Sequence, residues 1–151
     1  NELCAIDPTT NTTELIKDIR PGNAPSFPKH LKVVNNLLYF VADNGTNGAE
    51  LWVSDGTSNG TFMLIDLREG TNGSRIEDMV EYNNMLYFTA IVDGGIRNLY
   101  KTDGTTAGTE IVSLTLENDD ELSKFEDVPF LLICRRIYQG GSIKPQIDTK
   151  F

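Results

Sequence analysis

What the sequence lacks narrows its function before any motif is considered. It holds one histidine, His30, which follows Pro28 in a loop with no Ser or Cys nucleophile motif beside it. No HExxH, P-loop, GxSxG or dinucleotide-binding glycine pattern occurs, so the common catalytic constellations are missing. Asp119, Asp120 and Glu121 adjoin one another, whereas a glycosidase needs its two carboxylates on either side of a bond. They read as a solvated charge run. An enzyme is not expected. Basic residues are also scarce, with 13 Lys and Arg against 22 Asp and Glu, a net charge of −9 and a pI near 4.5. Nucleic acid, whose phosphates require clustered cations, is therefore not an expected partner. No apolar run approaches the roughly 18 residues of a transmembrane helix. The chain opens on Asn1 with no signal-peptide pattern, which reads as a mature, processed or excised chain.

What is present is repetition. ELWVSDGTSNGTFMLIDL, from Glu50 to Leu67, is preceded by ELCAIDPTTNTTELIKDI from Glu2 and followed by NLYKTDGTTAGTEIVSL from Asn98. Asp7, Asp55 and Asp103 stand 48 residues apart, as do Thr13, Thr61 and Thr109. A second block, VVNNLLYFVA, returns at the same offset as EYNNMLYFTA. A fixed period of this size marks a repeat architecture. Alternating apolar runs separated by Gly-, Asn- and Asp-rich turns predict an all-β fold with four strands per repeat. The expectation is a single repeat domain over residues 1–151, with β-propeller-like blades at 1–49, 50–97 and 98–151, the last degenerate. A closed, pseudo-threefold β-trefoil-like arrangement is the alternative. The fourth strand of each unit is expected near Ile76 to Tyr82. Leu3, Leu51 and Leu99 are expected in the core, with Cys4, Trp52 and Tyr100 on the opposite face.

The repeated turn invites a structural explanation. Asp7, Asp55 and Asp103 are expected to accept backbone N–H bonds, with Gly56-Thr57 and Gly104-Thr105 completing the turn. Pro8 stands where the other copies have Gly56 and Gly104. Its fixed φ suggests a type I turn, with positive φ displaced to Gly60 and Gly108.

Four Asn-x-Ser/Thr sequons begin at Asn11, Asn44, Asn59 and Asn72, all in predicted turns. Cys4 and Cys134 permit one disulfide, favoured if FLLIC (residues 130–134) pairs with ELCAI. Together these features predict a secreted protein. No cofactor is expected. Calcium is the metal to consider, because Asp43-x-Gly45-x-Asn47-Gly48 resembles the opening of an EF-hand loop. Ser54 at the twelfth place and flanking strands exclude an EF-hand itself, leaving Asp43 and Asn47 as candidates for an irregular site. Asp18, Asp55, Asp66 and Asp103 are alternative ligands. The adjacent basic pair Arg135-Arg136 reads as the exposed side of a capping strand.

The block ELWVSDGTSNGTFMLIDL, with REGTNGS after it and ELIKDIRPG before it, resembles the ELWxxDGT repeats of large secreted or cell-surface proteins over roughly residues 2–114. The resemblance implies an extracellular, β-propeller-like repeat protein without enzyme activity. The DGT turn is also similar to the Asp-box of sialidase-type propellers, a structural hairpin. In composition, though in no motif, the chain resembles silintaphin-like sponge spicule matrix proteins, which implies a biomineral-associated role. The expected function is a non-enzymatic extracellular structural or interaction protein, assembling with a protein partner in a matrix, filament or surface complex. A carbohydrate- or Ca²⁺-binding β-propeller module is the alternative.

Overall fold

The computed structural model describes residues 1–92 and 97–112, together with the backbone of two short strands further on. Among the described residues the fold is all-β, with no helix. β1 (Leu3–Ile6) and β2 (Thr13–Lys17) form a two-stranded sheet. β3 (Lys29–Val34), β4 (Leu37–Asp43), β5 (Ala49–Ser54) and β6 (Phe62–Ile65) form a four-stranded antiparallel meander. β7 (Glu77–Tyr82), β8 (Met85–Ile91), β9 (Arg97–Thr102) and β10 (Glu110–Ile111) form a second meander. β11 (Leu114–Thr115) pairs with β12 (Gln146–Ile147).

The two meanders correspond strand for strand at an offset of 48, from Lys29 to Glu77, Leu37 to Met85 and Ala49 to Arg97. Their first hairpins turn through Asn35-Asn36 and Asn83-Asn84, with φ of 50° and 61°, and 49° and 61°. Positive φ at both central residues defines the turn whose twist suits an antiparallel pair, and Asn tolerates it. The two tips also touch, Asn35 Nδ2 donating to Asn84 O at 2.6 Å. These tight turns correct the expected strand grouping. The strand at 77–82 is the first of the following sheet, not the fourth of the preceding one. A two-residue turn commits it to β8, while residues 66–76 give the chain length to change layers. The sheets therefore straddle the expected boundaries at 49/50 and 97/98.

The sheets stack as layers. One apolar cluster joins Leu3 and Ile19 of the first layer to Phe40, Ala42 and Trp52 of the second. The other joins Tyr39, Val41, Leu51, Val53 and Leu64 to Leu86, Phe88, Ala90 and Tyr100 of the third. Alternation along β4 and β5 thus sends apolar side chains to both faces, and both faces are covered. Cross-strand aromatic pairs sit in each cluster. Phe40 meets Trp52 at a centroid distance of 6.3 Å, and Phe88 stacks on Tyr100 at 5.5 Å. Burying one such ring contributes about 1.5–3 kcal/mol.

Candidate functional site

The three Asp-x-Thr turns are built alike at their carboxylates. Asp7 Oδ1 accepts from Thr9 N and Thr9 Oγ1, both at 2.7 Å. Asp55 Oδ1 accepts from Thr57 N and Oγ1 at 2.8 and 2.7 Å, and Asp103 Oδ1 from Thr105 N and Oγ1 at 2.9 and 2.7 Å. These bonds favour the charged form. The Thr9 hydroxyl and amide hold Asp7 down to about 2. Thr57 and Thr105 hold Asp55 and Asp103 below the ordinary carboxylate range. The backbone departs from the type I expectation. Gly56 and Gly104 carry the positive φ, 92° and 99°, and Gly60 and Gly108 do not. Gly60 is required for another reason, because a Cβ there would overlap the Asp55 carboxylate. Pro8 cannot reach φ near 90°, so the first turn closes differently, with Asn11 at φ 56°.

A second repeated device was not anticipated from the sequence. Where the chain crosses from one layer to the next, a buried serine bridges the two. Ser26 N donates to Asn1 O and Asp43 N donates to Ser26 O; 48 residues on, Ser74 N donates to Ala49 O and Ile91 N to Ser74 O. A glutamate grips each serine. Glu2 accepts from Ser26 Oγ at 2.6 Å, from Ser26 N at 2.9 Å and from Ile19 N at 2.9 Å. Glu50 Oε2 accepts from Ser74 Oγ at 2.5 Å and from Leu67 N at 3.3 Å. The signal was present as Glu2/Glu50 and Ser26/Ser74, each pair 48 apart, but a glutamate heading a strand reads as solvent-facing.

The two carboxylates differ electrostatically. Partial burial pushes Glu2 up, but the bonds from Ser26 and Ile19 outweigh it and hold the group below its ordinary value. Glu50 is 0% exposed, and burial pushes it up to about 7 against the bonds from Ser74 and Leu67, with the Asp66 charge adding to the rise. Glu50 Oε1 has no partner, and neither has the buried Oδ1 of Asp66. Glu50 and Asp66 each adjoin the pair Leu51↔Ile65, where β5 and β6 meet.

The remaining predicted residues are dispersed. Asp43 is held by Arg20 Nη1 at 2.8 Å and accepts from Gly45 N. Asn47 Nδ2 donates to Asp66 Oδ2 at 2.6 Å, and Asn47 Oδ1 accepts from Asn44 Nδ2. Among the described residues no three or more His, Cys, Asp or Glu side chains converge as a metal-holding group. Asn11, Asn59 and Asn72 are exposed, while Asn44 is half-buried with its amide engaged in its own turn. Cys4 is an exposed free thiol. Cys134, the acidic run at 118–121 and Arg135-Arg136 lie outside the described residues.

The first layer presents what the second covers. Cys4 pairs with Leu15 across β1 and β2, and Leu15 is 56% exposed, with Ile6 63% exposed beside them. Trp52, the counterpart of Cys4 in the second layer, is 5% exposed, and Met63, the counterpart of Leu15, packs into the inter-layer cluster. β5 is paired on both edges, by β4 and β6, whereas β1 is paired by β2 alone among the described residues. The surface is apolar and edge-on, suited to strand addition. Compared with protein-family models, with curated proteins and with solved structures, the chain finds no match in any of the three.

Proposed function

We propose that the chain is a non-catalytic interaction module of an extracellular assembly, a stack of propeller-like blades that a protein partner extends. The observation carrying this is that, among the described residues, β1 has an exposed outer face and one unpaired edge. Where the second sheet is covered on both sides, the first leaves Cys4, Ile6 and Leu15 in water. The matching edge of β5 is taken by β4, whose Leu38, Phe40 and Ala42 cover the same side. The partner is therefore a protein offering an extended segment with apolar residues at alternate positions. The exposed sequons at Asn11, Asn59 and Asn72 and the net charge of −9 accord with secretion.

The test compares the chain with an Ile6→Asp/Leu15→Asp variant, both immobilised and exposed to extract from the native source. A stoichiometric protein retained by the first and lost from the second, at equal melting temperature, is the expected result. A chain that retains nothing and sediments as a monomer would overturn the proposal. A second reading, a Ca²⁺-binding module, is favoured by the unpartnered oxygens of Glu50 and Asp66 across one hairpin. It predicts a melting temperature raised by millimolar Ca²⁺ and restored by chelator, with no response in Asp66→Asn.

A further inference from the structure

The turn between β1 and β2 differs from its two counterparts in what its closing threonine does. In the second layer Thr61 is 0% exposed, and its hydroxyl lies 2.6 Å from Ser54 Oγ and donates to Thr57 O at 2.6 Å. In the third, Thr109 Oγ1 lies 2.8 Å from Thr102 Oγ1 and donates to Thr105 O at 2.7 Å. Forty-eight residues before Ser54 stands Ile6, which brings no hydroxyl. Thr13, the counterpart of Thr61, is exposed, and among the described residues neither bond is repeated there.

That release matters because Thr13 closes the sequon Asn11-Thr12-Thr13. An Asn-x-Ser/Thr sequon is an acceptor for N-linked glycans; its amide is the nucleophile and the hydroxyl two residues on orients it. All three residues of this sequon are exposed. Asn59-Gly60-Thr61 and Asn72-Gly73-Ser74 each expose the asparagine but bury the hydroxyl residue, Thr61 and Ser74 both being 0% exposed. Ser74 Oγ is further committed to Glu50. Asn44-Gly45-Thr46 has the reverse fault. Thr46 is exposed, but Asn44 is half-buried, its Nδ2 donating to Asn47 Oδ1 at 2.8 Å and its Oδ1 accepting from Thr46 N and Asn47 N, both at 2.9 Å. The φ of 56° at Asn11 accounts for an asparagine there. What sets this sequon apart is that the fold leaves both its amide and its hydroxyl residue in water.

We infer that Asn11 is an N-glycosylation site presented by the folded chain itself, whereas the other three sequons are acceptors only before folding. The inference rests on the extracellular reading above, which brings the chain to the glycosylating enzyme. In the transfer a bond forms between Asn11 Nδ2 and the anomeric carbon of a lipid-diphosphate-linked oligosaccharide. The bond from that carbon to the diphosphate oxygen breaks. Nδ2 gives up one proton to solvent, and the lipid diphosphate leaves with the electron pair. Thr13 orients the amide and is not consumed. The position also bears on the neighbouring surface. Ile6 pairs with Thr13, so the glycan stands at the turn end of the β1–β2 hairpin, at the border of the exposed face of Cys4, Ile6 and Leu15.

The experiment presents the full folded chain, produced without glycans, to a purified single-subunit oligosaccharyltransferase and a lipid-linked oligosaccharide. Peptides spanning each sequon serve as the unfolded reference, and mass spectrometry of glycopeptides locates the sugar. The folded chain is expected to take a single glycan, on Asn11. Thr13→Val, at an exposed position, is expected to abolish that transfer with an unchanged melting temperature, and Asn11→Gln serves if the first variant fails to fold. Transfer to Asn59 or Asn72 of the folded chain as fast as to Asn11 would show that a buried hydroxyl is no barrier, and would overturn the inference. So would a folded chain left bare while its Asn11 peptide is modified. The same chain expressed behind a secretory signal is expected to carry sugar on Asn11; Asn11 bare in a chain glycosylated elsewhere would overturn the site. Transfer to the purified chain depends neither on where the chain resides nor on a partner at β1, so its failure is distinct from failure of the extracellular reading.

Discussion

The first and second layers carry one motif in two environments, and the contrast shows what the motif itself determines. Both hold a glutamate at the head of a strand, a serine 24 residues later and an Asp-x-Thr turn between them. In the first layer Glu2 is bonded on both oxygens, and Ile6 and Leu15 on the outer sheet face are exposed. In the second layer Glu50 is sealed in, one oxygen is orphaned and both sheet faces are covered. The hydrogen-bonding scheme belongs to the motif; the electrostatics belong to the position in the stack.

The sharpest way to break the comparison is to truncate equivalent faces. Phe40→Ala removes a ring that is 0% exposed between the first two layers and is expected to cost about 3–5 kcal/mol. Leu15→Ala, on the bare face of the first layer, is expected to stay within about 0.5 kcal/mol. Urea titration of both variants checks this. A Leu15→Ala cost rivalling that of Phe40→Ala would mean the first layer is covered in solution.

The glutamates should respond to pH with opposite sign. Glu50 is raised from 4.5 to about 7, so the folded state binds the extra proton and stability falls as pH rises between those values. A shift of that size corresponds to roughly 3 kcal/mol. Glu2 is lowered, so its contribution is present above its unfolded value near 4.5 and is lost as pH falls through the folded one. Glu50→Gln is expected to flatten the stability profile between pH 5 and about 7. Glu2→Gln should leave that window alone and lower stability throughout it. Thermal melts across pH decide between them, and identical profiles for the two variants would remove the distinction.

The hairpins of this fold were legible and its layer crossings were not. Asn-Asn and Asp-x-Thr announce turns because their side chains and backbone tolerances act within a few residues. The segment at 66–76 carries Gly70, Thr71, Asn72 and Gly73, the residue types of a hairpin turn, so its residue types alone do not reveal that it leaves its sheet. That is why the strand at 77–82 reads from sequence as part of the preceding sheet, while its pairing is with β8. Glu50 was missed for a related reason: a polar residue beside Leu51 looks solvent-facing until a third layer and a crossing loop enclose it.

The smallest expected effect separates the turns themselves. Gly56 sits at φ 92° with nothing near its missing Cβ, so Gly56→Ala introduces only backbone strain, about 1–3 kcal/mol. Pro8 occupies the same place in the first turn, where it stiffens the unfolded chain. Pro8→Gly is therefore expected to cost about 0.4–1 kcal/mol, while Pro8→Ala should cost less than Pro8→Gly. If Gly56→Ala were as mild as Pro8→Ala, the two turns would share a backbone after all. The Asp carboxylate is bonded alike in both turns. A difference between the glycine and proline variants therefore reports on φ alone, and denaturant midpoints measured on the four chains suffice to read it.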